Sequence, residues 1–191
     1  VTIKVFDSEL GKHFLVELAM QQLADDTWQI TKINNLKTLI NERDQALQNK
    51  LAELNAPVQK QIDDAVAVAP QKIFITSAPY SGVIRLLEAD IQLTNNAVKE
   101  LQYFTGVLEL YNADNELFYS GNFASSKDLA AKQAAVYKFN WELNPFLTDD
   151  AKVMNSDFSK VTWKASLSSL SFADGSTIEL LTQLPVKAAT K

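Results

Sequence analysis

Cysteine is missing altogether from the 191 residues, which removes disulfides, thiolate metal sites and cysteine nucleophiles at once. Compartment stays open, because a cysteine-free domain folds in reducing and oxidising surroundings alike. Histidine occurs once, as His13, and arginine twice, as Arg43 and Arg85. With a formal charge of −5 and so few guanidinium groups, there is no basic stripe to follow a phosphate backbone. Residues 1–68 carry seven basic and ten acidic side chains, and residues 69–191 carry eleven and thirteen, so neither half compensates for the other. No nucleic-acid partner is expected. The five glycines, at 11, 82, 106, 121 and 175, are too scattered for a dinucleotide or P-loop fingerprint. No apolar run approaches the ~20 residues with which a helix spans a bilayer. Composition is otherwise that of a chain that folds: 47% hydrophobic, 21% charged and only five prolines, which argues against disorder over most of its length.

What is present is alternation. Tyr137, Phe139, Trp141 and Leu143 fall on every second position, as do Val161, Trp163, Ala165 and Leu167. Aromatic and β-branched residues at a period of two describe strands that face a core on one side. Seven such strands are expected in the second half, at 72–77, 84–94, 101–111, 117–121, 135–143, 160–170 and 177–181. Turns separate them at 79–82, 95–97, 112–115 and 174–175. Residues 125–133 read as a polar loop with a helical turn, 148–157 as irregular, and the tail 188–191 as loose. Seven strands in about 120 residues fit an immunoglobulin-like β-sandwich.

The first third differs. Val1, Ile3 and Val5 alternate, Phe14, Val16, Leu18 and Met20 share a face, and Trp28 and Ile30 follow a turn at 24–27. These make a three-stranded antiparallel meander with one buried face. From Leu36 the period lengthens: Ile40, Leu47, Leu51, Leu54, Val58, Ile62 and Ala65 form one helical stripe. Pro57 interrupts it without changing its phase, so one kinked helix or two end-to-end helices on the same surface are expected, ending at Ala69-Pro70. The fold class is therefore α+β followed by mainly β, with residues 1–69 as meander plus kinked helix and residues 70–191 as sandwich. The chain opens at Val1, already strand-like and without an initiator Met. A processed N-terminus is expected, with an export signal or membrane anchor upstream.

Chemistry is harder to find. His13 lies on the face opposite Phe14, Val16 and Leu18, and no Gly-x-Ser-x-Gly elbow offers it a nucleophile. Asn112-x-Asp114-x-Glu116 has oxygen ligands at alternate positions, as a calcium loop begins. Leu117 then stands where the sharp-turn Gly belongs and Phe123 where the bidentate Glu belongs, so a hairpin turn is the expectation. Asp149-Asp150 with Asp157 is an acidic loop, Asp25-Asp26 a turn, and Asp63-Asp64 a solvated helix face. Gly106, inside a strand, marks a bulge or a close approach. Tyr103-Phe104 and Phe118-Tyr119 each place one ring on either side of a sheet. Trp28, Trp141 and Trp163 sit on apolar faces and are expected in the core. No catalytic residue, metal ligand or cofactor-binding residue is nominated, and no cofactor is expected.

Two stretches carry a family resemblance. Phe6-Asp7-Ser8-Glu9-Leu10-Gly11-Lys12 leading into Trp28-Gln29-Ile30-Thr31-Lys32-Ile33-Asn34-Asn35 resembles the strand pair that closes small α+β domains of the nuclear-transport-factor-like or cystatin-like kind. Thr94-Asn95-Asn96, residues 104–111 and Trp141-Glu142-Leu143-Asn144-Pro145-Phe146 resemble immunoglobulin-like domains of bacterial envelope proteins, with their asparagine-bearing turns. Together they are similar to a family of uncharacterised bacterial cell-envelope proteins, often lipoproteins or anchored by one N-terminal helix. The resemblance implies a periplasmic or membrane-anchored location and no catalytic residues. Read with the missing catalytic constellation, it points to a non-enzymatic module that contacts another protein or the cell wall. The alternative is a small-molecule binding module with a pocket between the meander and its helix.

Overall fold

A computed structural model describes residues 1–185; the expected loose tail at 188–191 lies outside the described residues. The chain divides into two compact units, residues 1–56 with the segment that begins at Leu181, and Pro57–Leu180. The fold is mainly β, with antiparallel sheets and one long helix.

The first unit holds the expected meander, in the order β1-β2-β3: β1 (Thr2–Asp7), β2 (Lys12–Gln22) and β3 (Trp28–Ile33). The Asp7 carboxylate closes the first turn by accepting hydrogen bonds from the amides of Glu9 and Leu10, both at 3.0 Å. Asp25 closes the second in the same way, on the Thr27 amide at 3.1 Å. Helix α1 (Leu36–Ala65) follows and is unbroken through Pro57. It ends four residues before the expected stop at Ala69-Pro70. Val66-Ala67-Val68 instead opens β4 (Val66–Ser77), whose β-branched residues favour extended backbone. Proline is tolerated there because β4 is an edge strand and the register shifts between Pro70 and Lys72, where no ladder amide is needed.

The second unit contains all seven strands expected downstream of the helix. After β4 come β5 (Arg85–Asn95), β6 (Leu101–Tyr111), β7 (Leu117–Ser125), β8 (Ala134–Leu143), β9 (Thr162–Phe172) and β10 (Thr177–Glu179). They form two antiparallel sheets, ordered β4-β5-β8 and β10-β9-β6-β7. One core lies between them. Leu87, Ala89, Ile91 and Leu93 supply every second residue of β5, and Phe104, Leu108 and Leu110 come from β6. Each of the leucine, isoleucine and phenylalanine side chains among them contributes about 1.5–3 kcal/mol of transfer free energy. Phe104 and Tyr137 meet edge to face across the sheets at 5.0 Å, and Phe123 meets Phe139 at 4.6 Å. Two segments depart from expectation. Residues 148–157 contain a short helix, α2 (Thr148–Met154), whose first turn places Asp149 and Asp150 at its positive end and whose Val153 is buried. Residues 125–133 form no helical turn; Leu129 instead bridges to Leu101.

Three devices lock this unit. Asn95 is fully buried at the end of β5, and its amide nitrogen donates to the carbonyls of Lys99 (2.8 Å), Leu129 (3.0 Å) and Ala130 (3.3 Å). Its side-chain oxygen accepts from Ala97 N at 3.0 Å, so one residue satisfies the backbone of two loops. Trp141 of β8 donates its indole N–H to the Asn122 carbonyl of β7 at 2.7 Å, covering an open sheet edge. Gly121 makes room for it, since a Cβ there would lie 2.7 Å from the indole nitrogen. Gly106 sits at the expected bulge, where the β6–β9 register shifts and a Cβ would collide with the Ser166 carbonyl.

Candidate interaction surface

In the first unit, β2 alternates as expected. Phe14, Val16 and Leu18 are buried while His13, Leu15 and Glu17 are exposed. Pairing places Val5 opposite Phe14, Ile3 opposite Val16 and Ile33 opposite Leu18, so these residues share the apolar face. By alternation Asp7 lies on that face too. There it receives Arg43 of α1, whose Nε donates to Asp7 Oδ2 at 2.9 Å while Nη2 donates to Glu9 Oε2 at 3.0 Å. The Leu10 amide, and then Arg43, hold the Asp7 carboxyl below its ordinary value.

Beyond that anchored end the sheet stays open. Every residue of β3 is exposed, and Trp28 is 60% and Ile30 55% accessible. The expectation that Trp28 belongs to the core is therefore wrong. Alternation assigns a face correctly but not what covers it, and β3 is an edge strand. On the opposite face Leu15 is 58% exposed, and the His13 ring lies tilted against exposed Phe6, with centroids 4.9 Å apart and planes at 49°. Eleven large apolar side chains between Val1 and Ile40 are exposed, a density that the longer second unit does not reach.

A cavity of about 640 Å³ lies beside the β1–β2 turn, with Phe6, Leu54, Leu184 and Pro185 as apolar walls and Glu9 and Lys50 at its rim. Both rim charges are engaged, Glu9 by Arg43 and Lys50 by Glu53 at 2.8 Å. The segment carrying Leu184 is pinned to α1 by Asn55, which accepts from Leu181 N at 2.7 Å and donates to its carbonyl at 2.9 Å.

The other sequence candidates resolve into structure. Asn112 accepts from the amides of Asp114 and Glu116 at 3.0 and 2.8 Å, making a hairpin turn rather than a cation loop. Asp150 accepts from Asn144 N, Asp149 pairs with Lys152, and Asp157 binds Ser159 and Lys160, so the three acids do not converge. No cluster of metal-ligating residues occurs among the described residues. Phe104 is buried and Tyr103 exposed, as alternation requires, whereas Phe118 and Tyr119 are both half-buried. Burial, and then the charge of Asp150, push the Tyr119 hydroxyl up to about 12. Trp141 and Trp163 are half-buried and pack against the core. Neither the Arg43–Asp7–Glu9 clamp nor the bare β3 edge was recognised from sequence. The first joins residues 34 and 36 positions apart, and a strand's place in its sheet has no local signal.

No protein-family model matches the chain, and no curated protein matches it in sequence. Among solved structures it is similar to the Northeast Structural Genomics Consortium target SoR45, at 12% identity and a TM-score of 0.38, over 68% of this chain and 95% of that one. It is also similar to the putative ApaA protein from Bordetella pertussis, at 11% identity and 0.33, over 64% and 94%. A protein from Archaeoglobus fulgidus matches at 13% identity and 0.33, over 56% and 86%. Scores this low carry neither fold nor function across.

Proposed function

We propose that the chain is a non-enzymatic interaction module of a bacterial cell envelope, periplasmic or membrane-anchored, whose second unit is an immunoglobulin-like sandwich. The strand order supports the sandwich reading: the first, second and fifth strands form one sheet, and the seventh, sixth, third and fourth form the other. The observation that carries the interaction reading is the concentration of exposed apolar side chains on the meander, with Phe6, Leu15, Trp28 and Ile30 all more than half accessible. A non-enzymatic role is supported by the use of acidic side chains in turns and lysine pairs, and by His13 lying against the Phe6 ring. The envelope location rests on the family resemblance. The partner on this reading is another protein or an envelope component.

A photo-crosslinker at position 15, in the envelope fraction of the source organism, tests it. Capture above that of the same crosslinker at the exposed Val136 of β8 is expected. Equal yields at the two positions would refute the interaction reading. A second reading, small-molecule binding, is favoured by the 640 Å³ cavity between the β1–β2 turn and α1. Native mass spectrometry after incubation with envelope extract reads it out, with Leu54→Trp filling the space. A small-molecule mass retained by the wild type and lost in the variant is expected, and a bare chain in both would exclude it.

A further inference from the structure

We propose that β3 is a self-pairing edge, at which two copies of this chain join their β3 strands antiparallel and extend two meanders into one continuous sheet. The inference rests on reading the meander as an interaction surface and identifies its partner as a second copy.

Backbone direction is the first observation. Leu18 exchanges both hydrogen bonds with Val1, at 2.7 and 2.9 Å, so the even residues of β2 address β1 and its odd residues address β3. Leu23 N donates to Thr27 O at 2.8 Å, which continues the same alternation. Thr27 and Gln29 therefore point inward, and the N–H and C=O groups of Trp28 and Ile30 point away from the sheet. These two residues also carry the most exposed large apolar side chains of the strand. Leu36 and Ile40, at the start of α1, continue exposed apolar surface past Ile33.

Register is the second. Pairing the two outward residues antiparallel sets Gln29 on the two-fold axis and places Trp28 opposite Ile30 of the second copy, twice. An aromatic ring across from a β-branched side chain is a favourable cross-strand pair. In that register Lys32 approaches the Asp25-Asp26 turn of the second copy, so unlike charges meet at both ends. The register shift between Ala19 and Met20 leaves Thr31 as the extra residue and ends the ladder there. The interface is short, so the association is expected to be weak and concentration-dependent.

The other free edge of the meander behaves differently. On β1 the outward residues are Thr2, Lys4 and Phe6, so the register that pairs all three, centred on Lys4, sets Lys4 against Lys4. Like charges directly opposite destabilise a strand pair, and a lysine on an edge is a common guard against it.

Sedimentation equilibrium of the full chain across the micromolar range, at low salt, reads the association. A monomer–dimer equilibrium is expected for the wild type. Ile30→Lys is expected to abolish it, and Lys32→Glu to weaken it by roughly tenfold through repulsion from Asp25 and Asp26. Hydrogen exchange on the wild type supplies an independent readout should a variant fail to fold. The amides of Trp28 and Ile30 gain protection as concentration rises, while that of Lys4 does not. A wild type that stays monomeric throughout overturns the inference. So does a dimer in which the Trp28 and Ile30 amides remain unprotected. Either result leaves the interaction reading itself to the crosslinking yield at position 15, which lies on a different strand.

Discussion

Asn95 holds more of the second unit together than any other polar residue, and its removal gives the sharpest test of the packing described above. Truncation by Asn95→Ala removes the donor to Lys99, Leu129 and Ala130 and the acceptor for Ala97. An amide has two donor hydrogens, so the three donor contacts are worth about two full hydrogen bonds, and the acceptor adds a third. At about 1 kcal/mol each the loss comes to about 3 kcal/mol, with no further penalty at Leu129, whose carbonyl keeps its hydrogen bond from the Leu101 amide. Asn95→Asp separates the donor from the acceptor. It preserves the Ala97 contact but aims a carboxylate at three carbonyl oxygens, so it is expected to cost more than alanine at neutral pH. Burial and those carbonyls raise the aspartate's folded pKa above its unfolded value near ~4. Its neutral form, which can donate, is therefore favoured in the fold. The excess cost over alanine is largest above the folded pKa and fades as pH falls below it. Urea unfolding, followed by fluorescence in a Trp28→Phe background, reports the second unit alone through Trp141 and Trp163. A cost below about 1 kcal/mol for the alanine variant, or an aspartate variant more stable than alanine at pH 7, would refute the assigned network.

Two further outcomes can be checked on the same unit. Gly121→Ala drives a methyl group into the Trp141 indole, whose nitrogen lies 2.7 Å from the added carbon, and forces it off the Asn122 carbonyl. A loss of about 1–3 kcal/mol is expected, with a shift in Trp141 emission; unchanged stability would mean that the β7 edge is not closed by this contact. For Tyr119 the folded pKa, about 12, lies above the ordinary 10.0. Its contribution to stability is therefore complete below pH 10 and lost as pH rises from there through about 12. Tyr80, Tyr111 and Tyr137 are raised as well, so ultraviolet titration is read as a difference: Tyr119→Phe should remove a late-ionising component that Asp150→Asn brings down, and a Tyr119→Phe chain with an identical titration curve would contradict the assignment.

Much of this architecture was legible because strands and helices write their periods locally. The alternation in 135–143 and 160–170 located β8 and β9, and the change of period at Leu36 located the start of α1. Misreadings arose where local signals compete. Ala69-Pro70 reads as a helix stop, yet proline is equally at home on an edge strand at a bulge. Residues 148–157 are too few to display a helical period, so α2 was missed. The Asn112 loop was read correctly as a turn, because the glycine and glutamate that a calcium loop needs are replaced by Leu117 and Phe123.

The sequence by itself determined the elements, the faces of each strand and the lack of thiol, nucleotide-loop and polybasic chemistry, because each depends on residue type and short-range spacing. Only the tertiary structure decided which faces are covered. Trp28 and Trp141 both stand on apolar faces; one ring lies open on an edge strand while the other is held on a neighbouring strand's carbonyl. Asn95 and Asn96 are adjacent and alike, yet only Asn95 is buried and bonded to two loops. Coverage and partnership depend on residues 34 to 126 positions away, as with Asp7 and Arg43 or Asn55 and Leu181, and no local pattern carries that distance.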